Sequence, residues 1–398
     1  MDLKNFLVRY WAIIIVVLII FLGMYVRTID YRWPYLRNID SYAFMKQMNM
    51  IIDNNGLMPN YDYLDQAPYG HPVPTNYPFF YQYLGAWGYM LFKSFMPNLE
   101  LWQYLIYLPA LLASLMAIPM YFIGKILYDK RAGIIAAFFI VFDVAVMSRT
   151  LGGDPDSDAF TLLLPLIVIA LFLITYKYID LKKVLDKKAV MYSVLTGIFL
   201  GIWAYSWAGW WYVVWLITGF LVLKLITNYL QSRKEFIHNS KCILLMFVIM
   251  AITYFCMTVP ILGVSHIVST VQGPFTFGDI KSEAGEFPNV YVSVAEMQES
   301  GDIRNIIQRT SAIGGIAIII SPFFLMLYCL IYLFYSYYRK KQHLDTIILL
   351  SIWFIGPLLA TIIAVRFSIL FSAPMAIGSA ILLSKLLRVI TENEKLED

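Results

Sequence analysis

The chain is divided into apolar runs long enough to cross a bilayer, and this constrains its fold more than any other feature. The runs are Trp11–Val26, Leu101–Leu127, Ala132–Met147, Ala159–Tyr176, Val190–Ala204, Trp207–Leu223, Ile243–Val264, Ser311–Leu333, Ile347–Ala364 and Phe367–Leu387. A hydrocarbon core about 30 Å thick needs about 20 apolar residues per helix, and the shorter runs would recruit interfacial residues or a thinned bilayer. Only helices satisfy every backbone polar group within one such segment. The reading is an all-α polytopic membrane protein with about ten transmembrane helices. Only 14% of residues are charged and 60% are hydrophobic, against about 25% charged in a soluble domain.

Two polar stretches interrupt this pattern. Residues 28–100 form an external loop rich in Tyr, Pro and Asp, within which Phe79–Met96 reads as an interfacial or re-entrant helix. Residues 265–310 form a second external loop, between the seventh and eighth spans. A loop as long as the first, in a compact protein, is usually functional or disordered, and the aromatics of 28–100 argue for order there. The divisions are therefore 1–27, 28–100, 101–264, 265–310, 311–388 and a tail at 389–398. The first run follows Lys4 and Arg9 and lacks a small-residue cleavage site, so it reads as a signal anchor that is retained. Cys242, Cys256 and Cys329 lie in apolar runs without metal-type spacing and read as packing residues.

Sidedness follows from charge. With the N-terminus in the cytoplasm, most of the 30 basic residues fall in the inner loops, among them Lys130-Arg131, Lys182-Lys183, Lys187-Lys188, Arg233-Lys234 and Arg339-Lys340-Lys341. That satisfies the positive-inside rule with both termini cytoplasmic. Every unusual polar stretch then lands on the external or luminal face. Nothing in the composition points to a nucleic-acid partner.

The densest of these stretches is Arg149-Thr150-Leu151-Gly152-Gly153-Asp154-Pro155-Asp156-Ser157-Asp158. Three carboxylates so close together repel one another, and a hard divalent cation would remove that repulsion. A solvated turn that merely ends two helices is the other reading. Asp40 follows the first span, and Ser293-Val294-Ala295-Glu296 lies in the second loop. Arg366 interrupts an apolar stretch between the last two spans. An arginine at the centre of a membrane helix would cost about 2.5–3.5 kcal/mol. Arg366 is thus either an interfacial anchor or a bidentate ligand for phosphate.

Taken in order, Asp40 in Ile39-Asp40-Ser41-Tyr42, Ser148-Arg149-Thr150 leading to Asp156-Ser157-Asp158, the turn Tyr205-Ser206-Trp207-Ala208-Gly209-Trp210-Trp211, Ser293-Val294-Ala295-Glu296 and Arg366-Phe367 with Pro374 resemble the catalytic subunits of oligosaccharyltransferases. These are membrane C-type glycosyltransferases. The resemblance implies a metal-dependent inverting transfer of an oligosaccharide from a polyprenyl or dolichyl (di)phosphate donor to asparagine of a secreted or membrane protein. It implies Asp40, Asp156 and Asp158 around Mn²⁺ or Mg²⁺, Glu296 beside the metal and the acceptor amide, and Arg366 on the donor phosphate. His71 falls where archaeal members can place an extra metal-site histidine, although a loop histidine is as readily solvated. Arg304 or Arg309 stands where some members read an acidic acceptor residue. Asp154 has no matched role and reads as loop charge.

The match has two large departures. Members usually carry about thirteen spans against the ten read here, and they carry a Trp-Trp-Asp-Tyr-Gly motif in a large external C-terminal domain, whereas Trp210-Trp211 is followed here by Tyr212-Val213 inside a span. The expectation is a compact version without that domain, whose acceptor recognition comes from a partner subunit or is dispensed with. A C-type transferase using a polyprenyl-phosphate sugar and a non-protein acceptor stays open beside it. So does a non-catalytic scaffold or transporter, although intramembrane broken helices in repeats, the usual mark of transport, are not apparent.

Overall fold

The computed structural model describes residues 3–74, 79–231, 233–276, 303–311 and 315–392. The elements run α1 (Leu3–Thr28), α2 (Ile39–Asp53), β1 (Tyr61–Asp62), β2 (His71–Pro72), α3 (Phe80–Phe95), α4 (Leu101–Leu115), α5 (Ala117–Leu127), α6 (Lys130–Phe142), α7 (Val144–Ser148) and α8 (Asp158–Lys182). They continue with α9 (Lys187–Ala204), α10 (Trp211–Gln231), α11 (Phe236–Leu262), α12 (Ser265–Thr276), α13 (Ile303–Ser311), α14 (Pro322–Lys340), α15 (Leu344–Ile363) and α16 (Ser372–Glu392). The fold is all-α, and β1 and β2 form a single antiparallel pair with Asp62 opposite His71.

Among the described residues, eight helical segments are long and apolar enough to cross a membrane. The two remaining expected crossings fall on α9 and α14, of 18 and 19 residues. Each has a polar end: α9 opens on Lys187-Lys188, and α14 closes on Tyr337-Tyr338-Arg339-Lys340. The outer faces suit lipid. On α1, Leu18 and Phe21 are 60% and 67% exposed, while Val16 and Ile19 on the opposite face are buried. The centre of the bundle is α8, whose window of highest hydropathy is 72% buried.

Several expected spans have different bounds, each for a local reason. The run from Leu101 is two helices parted at Met116, with Pro109 and Pro119 in its two halves. A helix-interior proline removes one backbone hydrogen bond and crowds the preceding turn. The span expected from Trp207 begins at Trp211, because residues 207–210 form a turn closed by the Trp210 N–H donating to Trp207 O. The span expected from Ser311 begins at Pro322, which takes the first helical position after Ser321. Ahead of it come α13 and a 3-10 turn at Gly315–Ile320. The last span is likewise delayed. Ala364 is extended, residues Val365–Phe371 form a 3-10 helix, and the α-helix starts only at Ser372. That short 3-10 stretch carries Arg366.

Within residues 28–100 the described residues carry two helices and a short hairpin. The α2 helix starts at an Asn38 cap whose side chain accepts from the Ser41 N–H, the usual way of satisfying an unpaired N-terminal amide. The α3 helix lies beyond the hairpin and buries Tyr81, Gln82, Gly85, Ala86 and Tyr89. Phe80 N–H donates to Tyr205 O, which joins this stretch to the aromatic turn before α10.

Candidate active site

The acidic loop is held from behind by backbone. Gly152 N–H donates to Arg27 O and Gly153 N–H to Ile106 O, both at 3.0 Å. Arg37 returns the contact, its N–H donating to Gly153 O at 2.8 Å and its Nε to Gly152 O at 2.7 Å. The Gly-Gly pair is what permits this approach. A Cβ at Gly152 would lie 3.0 Å from Arg27 O, and Gly153 has φ of +81°, a region glycine enters freely.

On its outer side the loop meets α2. Asp154 Oδ1 accepts from Ser41 Oγ at 3.0 Å and from the Asn38 side chain. Asp40 stands between those two residues with its side chain exposed. Asp154, read from sequence only as loop charge, is therefore the residue that ties the Asp40 segment to the Asp156 segment. Tyr81 of α3 donates to Pro155 O at 3.0 Å and buries the proline. Burial, together with the Asp156, Asp154 and Asp158 charges, pushes the Tyr81 phenol up.

Asp156 is half-buried and accepts from the Ser157 N–H at 2.5 Å. Burial pushes its carboxyl above the usual carboxylate range and the Asp154 charge adds to this, while the Ser157 N–H and Arg366 act against it. Asp158, the first residue of α8, faces two guanidinium groups, Arg149 at 3.6 Å and Arg366 at 3.8 Å. The Arg366 side chain keeps 43% of its surface exposed. Asp158 and Arg366 form the polar end of a pocket whose other walls are Thr161, Leu162, Trp207, Phe367, Ile369 and Leu370. A second pocket shares Thr161, Leu162, Ile369 and Leu370 with it and continues among Met116, Ile140, Pro165, Leu166 and Trp353. Asp158 and Arg366 thus stand at the charged end of an apolar-walled cleft.

The remaining candidates are less gathered. His71 is exposed in the hairpin, and Arg304 is exposed on α13. Glu296 and the Arg309 side chain lie outside the described residues. Among the described residues no three His, Cys, Asp or Glu side chains are arranged to hold a metal. Asp154 and Asp156 lie close enough to repel one another, and the Asp154 charge adds to the upward push on the Asp156 carboxyl.

Fold and site together define a polytopic membrane protein with an acid- and arginine-bearing site at one end of its bundle. Residues 10–395 match the family described as oligosaccharyl transferase STT3, N-terminal, and the chain belongs to that family. A dolichyl-phosphooligosaccharide-protein glycotransferase of Methanocaldococcus jannaschii is 23% identical over 89% of this chain and 47% of its own length. The fold is also that of the oligosaccharyltransferase AglB of Archaeoglobus fulgidus, solved with an inhibitory peptide and a dolichol-phosphate, at a TM-score of 0.71. That match has 18% identity and covers 98% of this chain and 52% of the other. The same enzyme solved with Zn and sulfate gives a TM-score of 0.67 at 19% identity, over 95% and 49% of the two chains. The chain thus spans about half the length of the relatives it matches.

Proposed function

We propose that the protein transfers an oligosaccharide from a polyprenyl or dolichyl (di)phosphate to asparagine of a protein at the external membrane face. The observation that carries this reading is Arg366 beside Asp158 at the mouth of an apolar-walled pocket. A lipid-linked phosphate needs such a pairing of a phosphate-binding cation with a lipid-compatible wall. The names of the relatives, with a dolichol-phosphate and a peptide bound to one of them, agree with it.

In this reading Arg366 offers its planar fork to the donor phosphate and stabilises the negative charge that grows there as the sugar leaves. Asp158 keeps that fork oriented through its ion pair. The acceptor amide nitrogen is a poor nucleophile because its lone pair is delocalised, and carboxylates accepting its N–H bonds would weaken that conjugation. Asp40 and Asp156 are the carboxylates proposed for this work, with Glu296 as a third. Attack opposite the leaving phosphate would invert the anomeric carbon. Asp40, Asp156 and Asp158 are the carboxylates offered for Mn²⁺ or Mg²⁺; as they stand they are not arranged around one point, so they would have to draw together to hold an ion, which when bound would supply Lewis-acid stabilisation of the departing phosphate. An archaeal relative solved with Zn and sulfate agrees with this fold binding a cation and an anion.

Donor binding tests the reading most directly. A charge-assisted contact is worth about 1.5–3 kcal/mol, so Arg366→Ala should weaken binding of a lipid-linked glycan about ten- to a hundredfold. Arg366→Lys should recover part of it by restoring charge without the fork. Asp156→Asn should leave donor binding largely intact while abolishing transfer to an asparagine-containing peptide. Unchanged binding in Arg366→Ala would make the arginine an interfacial anchor and favour the scaffold reading. Donor turnover independent of peptide would favour a non-protein acceptor.

A further inference from the structure

The least expected charge in the molecule is Arg27, near the end of α1. It is 1% exposed, and among the described residues no carboxylate pairs with it. Its Nε donates to Thr150 Oγ1 at 3.0 Å, one terminal nitrogen to Gly23 O at 3.2 Å and the other to Val141 O at 2.7 Å. A buried cation without a counter-ion is costly, so the residues that hold it need explaining.

Local structure supplies the compensation. Gly23 lies one turn before Arg27 in α1, and Val141 lies at the end of α6. The last carbonyls of a helix lack intrahelical partners and carry the negative end of the helix dipole, and the Val141 carbonyl is one of these. The Val141 carbonyl is free because the helix stops at Asp143, which is extended and caps the next short helix by accepting from Val146 N–H at 3.0 Å. The break at Asp143 and the burial of Arg27 therefore belong to one arrangement. Asp143 also accepts from Ser372 Oγ at 2.8 Å, at the start of the helix that follows the Arg366 turn.

Arg27 in turn reaches the acidic loop twice. Its side chain holds Thr150, and its carbonyl accepts from Gly152. Thr150 Oγ1 passes its own proton to Val146 O at 2.7 Å, which closes the chain of bonds onto α7. We infer that Arg27 is a positioning residue for Asp156 and Asp158, a buried latch that fixes the Thr150–Asp154 turn to the first transmembrane helix and to the broken end of α6. The catalytic consequence rests on the proposed role of those aspartates. The latch itself does not.

Hydrogen exchange on the whole purified protein separates the two. Lysine at position 27 keeps the charge but cannot donate in three fixed directions from Nε and both terminal nitrogens. Arg27→Lys should raise exchange at the Gly152, Gly153 and Asp154 amides at least tenfold, with exchange in α1 and α6 and the melting temperature unchanged. Thr150→Val, which loses the acceptor but not the bulk, should reproduce the effect, and Thr150→Ser should reverse it. In a transfer assay Arg27→Lys should lower kcat at least tenfold and leave the donor KM within about twofold. Exchange that stays at the wild-type level in both Arg27→Lys and Thr150→Val overturns the latch. A uniform rise across α1 and α6 overturns it too, because the arginine would then only support helix packing. Loosened amides in a protein that transfers no glycan even as wild type would leave the latch standing and remove the functional reading instead.

Discussion

Asp156 is the residue at which electrostatics most directly meets function. Burial and the neighbouring Asp154 charge hold its carboxyl above the usual range, so the folded protein keeps this proton to a higher pH than the unfolded chain does. Stability from this group is then fully present below the ordinary aspartate pKa of about 3.9 and is lost as pH rises through the folded value. With a chelator present, thermal unfolding measured from about pH 4 to about pH 7 should show melting temperature falling as pH rises. Asp156→Asn should flatten that slope, since the amide cannot ionise. Mn²⁺ should restore the wild-type melting temperature at neutral pH and do little for the variant. An equal slope in wild type and Asp156→Asn would mean that Asp156 carries no excess repulsion. The neighbouring Asp158 plays a different part, because Arg149 and Arg366 already face it.

Among the elements, the turn between α7 and α8 is the most demanding. Gly153 has φ of +81°, and a Cβ there would lie 2.0 Å from the Tyr31 ring. Gly153→Ala should therefore both strain the backbone and displace the loop, costing about 1–3 kcal/mol and most of the transfer activity. Gly356 is the contrast, since it lies within α15 and a Cβ there would meet nothing within 4 Å. Gly356→Ala should be neutral or stabilise by up to about 1 kcal/mol. Paired melting curves and transfer assays decide between them, and a silent Gly153→Ala would show that the turn yields easily. This turn also marks how far the sequence could be read. The apolar runs found the long apolar helices, because length and hydropathy are local properties, and left α2, α12 and α13 inside stretches read as loops. The starts at Trp211 and Pro322 were missed because the apolar composition runs on through the turns before them. The aspartates and Arg366 stood out as charges in apolar surroundings. Asp154 did not, because its partners Asn38 and Ser41 lie more than a hundred positions away. Nothing local showed that the Asn38 side chain would hold it. Arg27 stands directly after the first apolar run, and only the packing of α1 against α6 makes it a buried charge.

At the scale of the whole molecule the bundle places Asp154, Asp156, Asp158 and Arg366 at one end, while Lys224, Asp345 and Tyr176 join in a separate polar cluster. Lys224 donates to Asp345 at 2.7 Å and Tyr176 donates to the same carboxylate at 2.8 Å. These residues close the ends of α8 and α10 and the start of α15, at the opposite end of α8 from Asp158. The basic loops collect at that second end, Lys182-Lys183 and Lys187-Lys188 among them, as an inner face requires. Sidedness can be measured without reference to either terminus. In a background with Cys242, Cys256 and Cys329 replaced by alanine, a single cysteine is introduced at Asp65 or at Lys187, both exposed positions. A membrane-impermeant maleimide should label Asp65→Cys in intact cells or in sealed vesicles of matching orientation, and Lys187→Cys only after permeabilisation. The reverse pattern would put the acidic loop in the cytoplasm. Glycan transfer to secreted protein would then be untenable, whatever the chemistry of the site. Labelling as expected would put the end of the bundle that carries Asp158 and Arg366 on the face where exported chains emerge.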